Sequence, residues 1–141
     1  MGGIVSQFLK CTCISRDEID GAPYCITDDV LTGDPDDVMQ ELQDKVDEYT
    51  GNVSADYIGT SSGDNRAKAM KRRHDNYKKE NNIDTMVAIY ESNNEGDCRK
   101  VEKELLEYRG IGNGTNINRT GGGGGRNSKG PKYQVYIATS T

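Results

Sequence analysis

Five consecutive glycines, Gly121–Gly125, interrupt the chain near its end. A glycine run has no side chains to bury and loses more backbone entropy on ordering than any other residue type. It cannot supply a core helix or strand. The core must therefore come from residues 1–120 together with Tyr133–Thr141, which is one strand's length. The run sits in NINRTGGGGGRNSKGPK (Asn116–Lys132), between Arg119 and Arg126, with Lys129 and Lys132 beyond. One reading is a flexible linker. The other is a ligand loop in which the amides of Gly122, Gly123 and Gly124 approach an anion while Arg119 and Arg126 grip it. A linker would be richer in serine and would join two domains. With a single strand's length following, the ligand loop is the reading adopted.

The chain has 141 residues, the length of one domain spanning 1–141. Hydrophobic residues make up 33% and tryptophan is absent, so eight tyrosines carry most of the aromatic content. So small an apolar fraction suggests a homodimer or higher homo-oligomer that completes its core across an interface. The net charge of -5 is unevenly spread. Residues 1–60 hold 3 basic and 13 acidic side chains, a balance of -10. Residues 61–141 hold 15 and 10, a balance of +5, so an anionic ligand belongs in the second part. The acidic first part argues against a nucleic-acid polymer as partner.

Cys11, Cys13, Cys25 and Cys98 lack zinc-ligand spacing and His74 stands far from them, so neither a metal nor a cofactor is expected. The cysteines read as buried thiols of a reducing cytoplasm. No apolar run is long enough to cross a membrane and no signal peptide is legible. Gly2 and Ser6 formally match a myristoylation signal, but the segment reads more simply as the start of a strand.

In chain order, Ile4–Ile14 and Tyr24–Thr27 read as a hairpin around a loop at Arg16–Gly21. Asp34 caps a helix with Pro35 at its first position, and Val38, Leu42, Val46 and Tyr49 recur on one face until Gly51. Val53–Gly59 is a short strand. Thr60, Ser61, Ser62 and Asp64 are expected to cap a second helix from about Asn65 to Asn81, with Ala67, Met70, His74 and Tyr77 as its apolar stripe. Ile83–Glu91 is the best central strand. Asp97 is expected to cap a third helix with Cys98, Val101, Leu105 and Tyr108 inward and Gly110 as its stop. Tyr133–Thr139 closes the chain as a strand. The pattern predicts an α+β fold, a mainly antiparallel sheet with three helices packed on it, an N-terminal hairpin and a glycine-rich loop before the last strand.

The second helix carries Arg66, Lys68, Lys71, Arg72, Arg73, Lys78 and Lys79 against Asp64, Asp75 and Glu80. A solvated face is the plain reading. Phosphate binding at its N-terminus, beside Tyr57 and the hydroxyls that follow, is the functional one, with Arg66 best placed. His74 on an apolar stripe is ordinarily a satisfied core histidine, and ligand contact is the alternative. Glu102, Glu104 and Glu107 read as a solvated helix face. No nucleophile–base arrangement is legible, so no catalytic residue is assigned and the chain is not read as an enzyme.

Tyr57-Ile58-Gly59, followed by Arg66, His74 and Glu104, resembles the GIY-YIG nuclease module over about half the chain. That resemblance implies phosphodiester cleavage with a divalent metal on Glu104. The first tyrosine motif, expected shortly before Tyr57, is missing from EYTGNVSAD. The whole chain, with its acidic first helix and NINRTGGGGGR stretch, resembles more closely the phage-encoded Thoeris anti-defence sponges. That resemblance implies a protein of the bacterial host cytoplasm that sequesters a cyclic ADP-ribose isomer without cleaving it, keeping the immune effector off. Relatives of that family also hold cyclic oligonucleotides, in pockets between protomers. It implies ligand contact by Asn118, Arg119, the glycines through Arg126, and second-helix arginines including Arg66 and Arg73. An adenine additionally needs aromatic faces and amide edges, for which Tyr57, Tyr90, Tyr108 and Asn118 are the candidates.

Overall fold

The computed structural model describes residues 15–19, 22–66, 68–70, 72–73, 83–119 and 131–140. Its strands are β1 (Ser15–Ile19), β2 (Ala22–Leu31), β3 (Ala55–Gly63), β4 (Thr85–Ser92) and β5 (Lys132–Ser140). Helix α1 spans Pro35–Thr50 and helix α2 spans Glu95–Arg109. Residues 66, 68–70 and 72–73, between β3 and β4, are also helical. The strands form one mixed sheet in the order β1-β2-β4-β5-β3. Three of its pairings are antiparallel, and β2 runs parallel to β4. The architecture is α+β, as the alternation of strand and helix signals predicts.

The hairpin exists but is displaced. Arg16–Ile19, read as part of a loop, belongs to strand β1, and Ile19 pairs with Ala22. Only Asp20 and Gly21 separate those partners in sequence, an Asp-Gly dipeptide of the kind two-residue hairpins favour. Ile4–Ile14 lies outside the described residues. Helix α1 follows its sequence signals. The Asp34 carboxylate accepts from the Asp36 amide at 2.9 Å, and Leu42, Val46 and Tyr49 are buried.

Strand β3 runs four residues further than expected, through Gly63. Ser61 and Ser62 are buried strand residues rather than caps. Ser61 Oγ donates to Gln134 Oε1 at 2.8 Å, and Arg72 Nη2 donates to the Ser62 carbonyl at 2.6 Å. The cap of the following helix is Asn65, whose Oδ1 accepts from the Lys68 amide at 2.9 Å. Likewise α2 is capped by Asn94, which accepts from the amides of Gly96 and Asp97, so Asp97 lies in the first turn. Tyr108, expected inward, is 45% exposed. Its hydroxyl donates to Asp47 Oδ2 on α1 at 2.7 Å, which binds its polar end at the surface.

Alternate side chains of a strand point to opposite faces, so the sheet has two cores. On one face Ile58, Val87, Ile89, Val135 and Ile137 pack against α1 and α2 through Leu42, Val46, Val101 and Leu105. On the other, Met86, Ala88, Tyr136 and Ala138 pack with Met70, and Tyr57 lies against them. Tyr90 and Tyr136 are completely buried, so tyrosines fill the interior that phenylalanine and tryptophan would otherwise occupy. Among the described residues no helix is long and apolar enough to cross a membrane.

Candidate functional site

Strand β3 is antiparallel to β5 and β5 is antiparallel to β4. Strands β2, β3 and β4 therefore run the same way. Their carboxyl ends, at Leu31, Gly63 and Ser92, meet the start of β5, where Gly63 pairs with Lys132 and Ser92 with Tyr133. A helical segment begins after each of the three. The helices after β2 and β4 cover one face of the sheet, and the segment after β3, bearing Met70, covers the other. A crevice outside strand carboxyl ends, where the following helices go to opposite faces, is where open sheets commonly take ligands.

A cavity of about 310 Å³ lies there, lined by Thr32, Gly33, Glu91, Ser92, Asn93, Asp97 and Lys132. Gly33 has φ +107°, a conformation that only glycine adopts without strain. The Tyr90 hydroxyl donates to its carbonyl and ties this turn to the core. Burial, then the Asp97 charge, pushes the Tyr90 hydroxyl up to about 12, so it stays a neutral donor. Behind the cavity, Arg66 Nε and Nη2 donate to Glu91 Oε1 and Oε2 at 3.1 and 3.0 Å. Gln134 Nε2 donates to Oε1 at 3.0 Å. The Arg66 bond is the main cause holding the Glu91 carboxyl below its ordinary value, against the opposing effect of burial. A lowered carboxyl favours the fold above its ordinary range, and that contribution is lost as acid protonates it.

The helix N-termini here are unequal. The first turns of α1 and α2 carry Asp36 and Asp37, and Glu95 and Asp97, which already complement the positive end of each helix. The segment opening at Arg66 carries bases instead. On the face it covers, Tyr57 and Tyr136 have ring centroids 6.5 Å apart in a stacked arrangement. Gly59 makes room for them. A Cβ there would fall 2.6 Å from Tyr136 Oη and 2.7 Å from Tyr57 Cε1. Arg73 is half-buried, and its Nε is buried with no hydrogen-bond partner.

A second polar cluster lies at the amino end of β3. Asp56 is fully buried and accepts four hydrogen bonds. Arg109 Nε and Nη2 donate to Oδ1 and Oδ2 at 3.1 and 2.8 Å. Thr115 Oγ1 donates to Oδ2, and Asn116 Nδ2 donates to Oδ1 at 3.1 Å. The backbone joins in, with the Asp56 amide donating to the Thr115 carbonyl at 2.9 Å and the Ile117 amide donating to the Asp56 carbonyl at 2.8 Å. Two residues on, Asn118 does with its side chain what a strand does with its backbone. Its Oδ1 accepts from the Ile58 amide and its Nδ2 donates to the Ile58 carbonyl, both at 2.9 Å. The chain thus runs along the outer edge of β3 toward the crevice as far as exposed Arg119.

The residues singled out in the sequence divide among these places. Arg66 reaches the rear of the crevice. Tyr57 and Arg73 lie on the face covered by the basic segment. Tyr90 is in the core of the opposite face, and Asn118 is engaged by β3. His74, Gly122, Gly123, Gly124 and Arg126 lie outside the described residues. Glu104 is half-buried on α2, on the other side of the sheet from Tyr57, and its Oε2 is buried without a partner. The structure does not bring Glu104 together with Tyr57 and Arg66. Among the described residues no group of three or more His, Cys, Asp or Glu side chains is placed to hold a metal ion.

Glu91, Gln134 and Asp56 gain their partners only through strand pairing or from tens of residues away, and no local spacing signals that. Asp97 reads in the sequence only as a helix cap, and its place at the cavity comes with the strand end that precedes α2. No family model, curated protein or solved structure matches this chain.

Proposed function

We propose that this protein captures a cyclic ADP-ribose-type signalling nucleotide at the carboxyl-end crevice and holds it without cleaving it. The observation that carries the reading is the convergence of three like-directed strand ends with Lys132, the basic segment opening at Arg66, and the course of Asn116–Arg119 toward the same end. Both flanks of the glycine-rich stretch thereby serve one side of the molecule. Phosphates call for cationic side chains, and Lys132, Arg119 and the basic segment supply them toward this end. The resemblance to the Thoeris anti-defence sponges supplies the ligand class and the biological setting. In that setting the protein acts in the bacterial host cytoplasm as a homodimer or higher homo-oligomer, and removing the signal leaves the immune effector inactive. Capture of a signal at ~100 nM needs a dissociation constant well below that, or about 10 kcal/mol of binding free energy.

A second reading has one observation in its favour. The tyrosine motif missing ahead of Tyr57 has a spatial counterpart in Tyr136, which arrives on β5, stacks with Tyr57 and shares its face of the sheet. A tyrosine pair on the face that the basic segment covers suits phosphodiester cleavage in a GIY-YIG-like manner. One experiment separates the two. Purified protein is incubated with cyclic ADP-ribose and Mg²⁺, then heat-denatured, and the supernatant is analysed by mass spectrometry. Intact nucleotide depleted before heating and released after it is the expected result. Cut nucleotide, or Mg²⁺-dependent cleavage of DNA in a parallel incubation, makes the nuclease reading correct.

A further inference from the structure

The cavity at the strand ends differs from the cluster around Asp56 in that several of its side chains are unengaged. No hydrogen bond occupies the side chains of Thr32, Asn93 or Lys132 among the described residues. Asp97 accepts one long bond, from Ser92 Oγ at 3.3 Å, and its other oxygen is open. The wall therefore presents a hydroxyl, an amide, an ammonium and a carboxylate around about 310 Å³. Its charges balance, with Glu91 and Asp97 against Lys132 and, behind Glu91, Arg66.

Such a lining selects by hydrogen bonding. Among the described residues no aromatic ring borders the cavity, so it offers no platform for a nucleobase. Nor, among the described residues, does a large aliphatic side chain line it, as in most small-molecule pockets. A neutral, hydroxyl-rich group fits both the size and the chemistry. Vicinal hydroxyls donate to a carboxylate and accept from an ammonium or amide, and a carboxylate beyond a strand's carboxyl end holds ribose this way in open sheets. A phosphate attached to that sugar would meet Lys132, the cation at the cavity edge.

We propose that this cavity is a phosphoribose subsite, with Asp97 accepting from the ribose 2-hydroxyl and Lys132 facing the phosphate. The assignment deepens the nucleotide-capture reading and rests on it for biological meaning, but its chemistry is tested with the sugar alone. The probe is D-ribose 5-phosphate, titrated into the full chain while backbone amides are followed by NMR, with 2-deoxy-D-ribose 5-phosphate as comparison. Saturable shifts are expected at Gly33, Ser92, Asn93, Asp97 and Lys132, with the deoxy sugar binding about tenfold more weakly, the loss of a hydrogen bond to a charged acceptor. Asp97→Ala is expected to abolish the preference for the hydroxylated sugar. Lys132→Ala is expected to weaken both sugars alike. Each variant is checked for a wild-type thermal melt.

Equal binding of the two sugars to the wild type, a preference that survives Asp97→Ala, or shifts centred elsewhere would overturn the assignment. The two readings fail separately. Ribose 5-phosphate that titrates these amides in a protein that does not capture cyclic ADP-ribose removes the capture reading and leaves the subsite. Capture of cyclic ADP-ribose unchanged by Asp97→Ala removes the subsite and leaves capture.

Discussion

The two ends of the sheet carry polar clusters of similar size and opposite character. At the amino end of β3, Asp56, Arg109, Thr115, Asn116 and Asn118 engage one another and the β3 backbone. At the carboxyl end, Thr32, Asn93, Asp97 and Lys132 face a cavity with most of their hydrogen-bonding capacity unused. A satisfied cluster holds a fold together because leaving any member unpaired in the interior is costly. An unsatisfied one at the surface contributes little to folding and is available to a ligand. Asn118 illustrates the difference. Its side chain has the groups an adenine edge needs, but both ends of the amide are occupied by Ile58.

The largest effect should come from breaking the closed cluster. Asp56→Ala leaves Arg109, whose side chain is 15% exposed, without its carboxylate partner. Removing one member of a buried pair typically costs about 3–5 kcal/mol. Chemical denaturation should show a loss of that size, whereas an Asp56→Ala protein of wild-type stability would mean that the cluster is incidental to folding. Asn118→Ala should cost less, about 1–3 kcal/mol, because it strips the partners from the amide and carbonyl of a single β3 residue. Amide hydrogen exchange gives the sharper reading of that change. Ile58 should lose protection while Val135 and Ile137 in β5 keep theirs. Loss of protection throughout the sheet would show that Asn118 supports more than the edge.

The same contrast explains what the sequence makes legible. Helix α1 announces itself, because Asp34-Pro35 and the recurrence of Leu42, Val46 and Tyr49 are local signals of local structure. β4 reads as central because Ile83–Glu91 is rich in strand-forming residues, and the structure buries Met86 through Tyr90, which requires cover on both faces. The reading fails where a polar residue is satisfied from afar. Ser61 and Ser62 resemble cap residues until Gln134 and Arg72 are seen to bond them within β3. Asp56 resembles a surface acid until Arg109 arrives from the end of α2. Tyr108 continues the inward spacing of α2, but Asp47 holds its hydroxyl at the surface. The open cluster is less legible still. Thr32 comes from the turn after β2, Asn93 and Asp97 from the junction of β4 with α2, and Lys132 from the start of β5, and only the parallel pairing of β2 with β4 and the register of β5 assemble them.

On this reading of the two clusters, binding belongs to the open end and folding to the closed one. Backbone amide shifts on adding cyclic ADP-ribose to the full chain test it most directly. Saturable changes are expected at Gly33, Arg66, Ser92, Asn93, Asp97 and Lys132, with Asp56, Thr115 and Ile117 unmoved. Changes centred on Asp56 and Thr115, or a titration that moves none of the crevice amides, would contradict it.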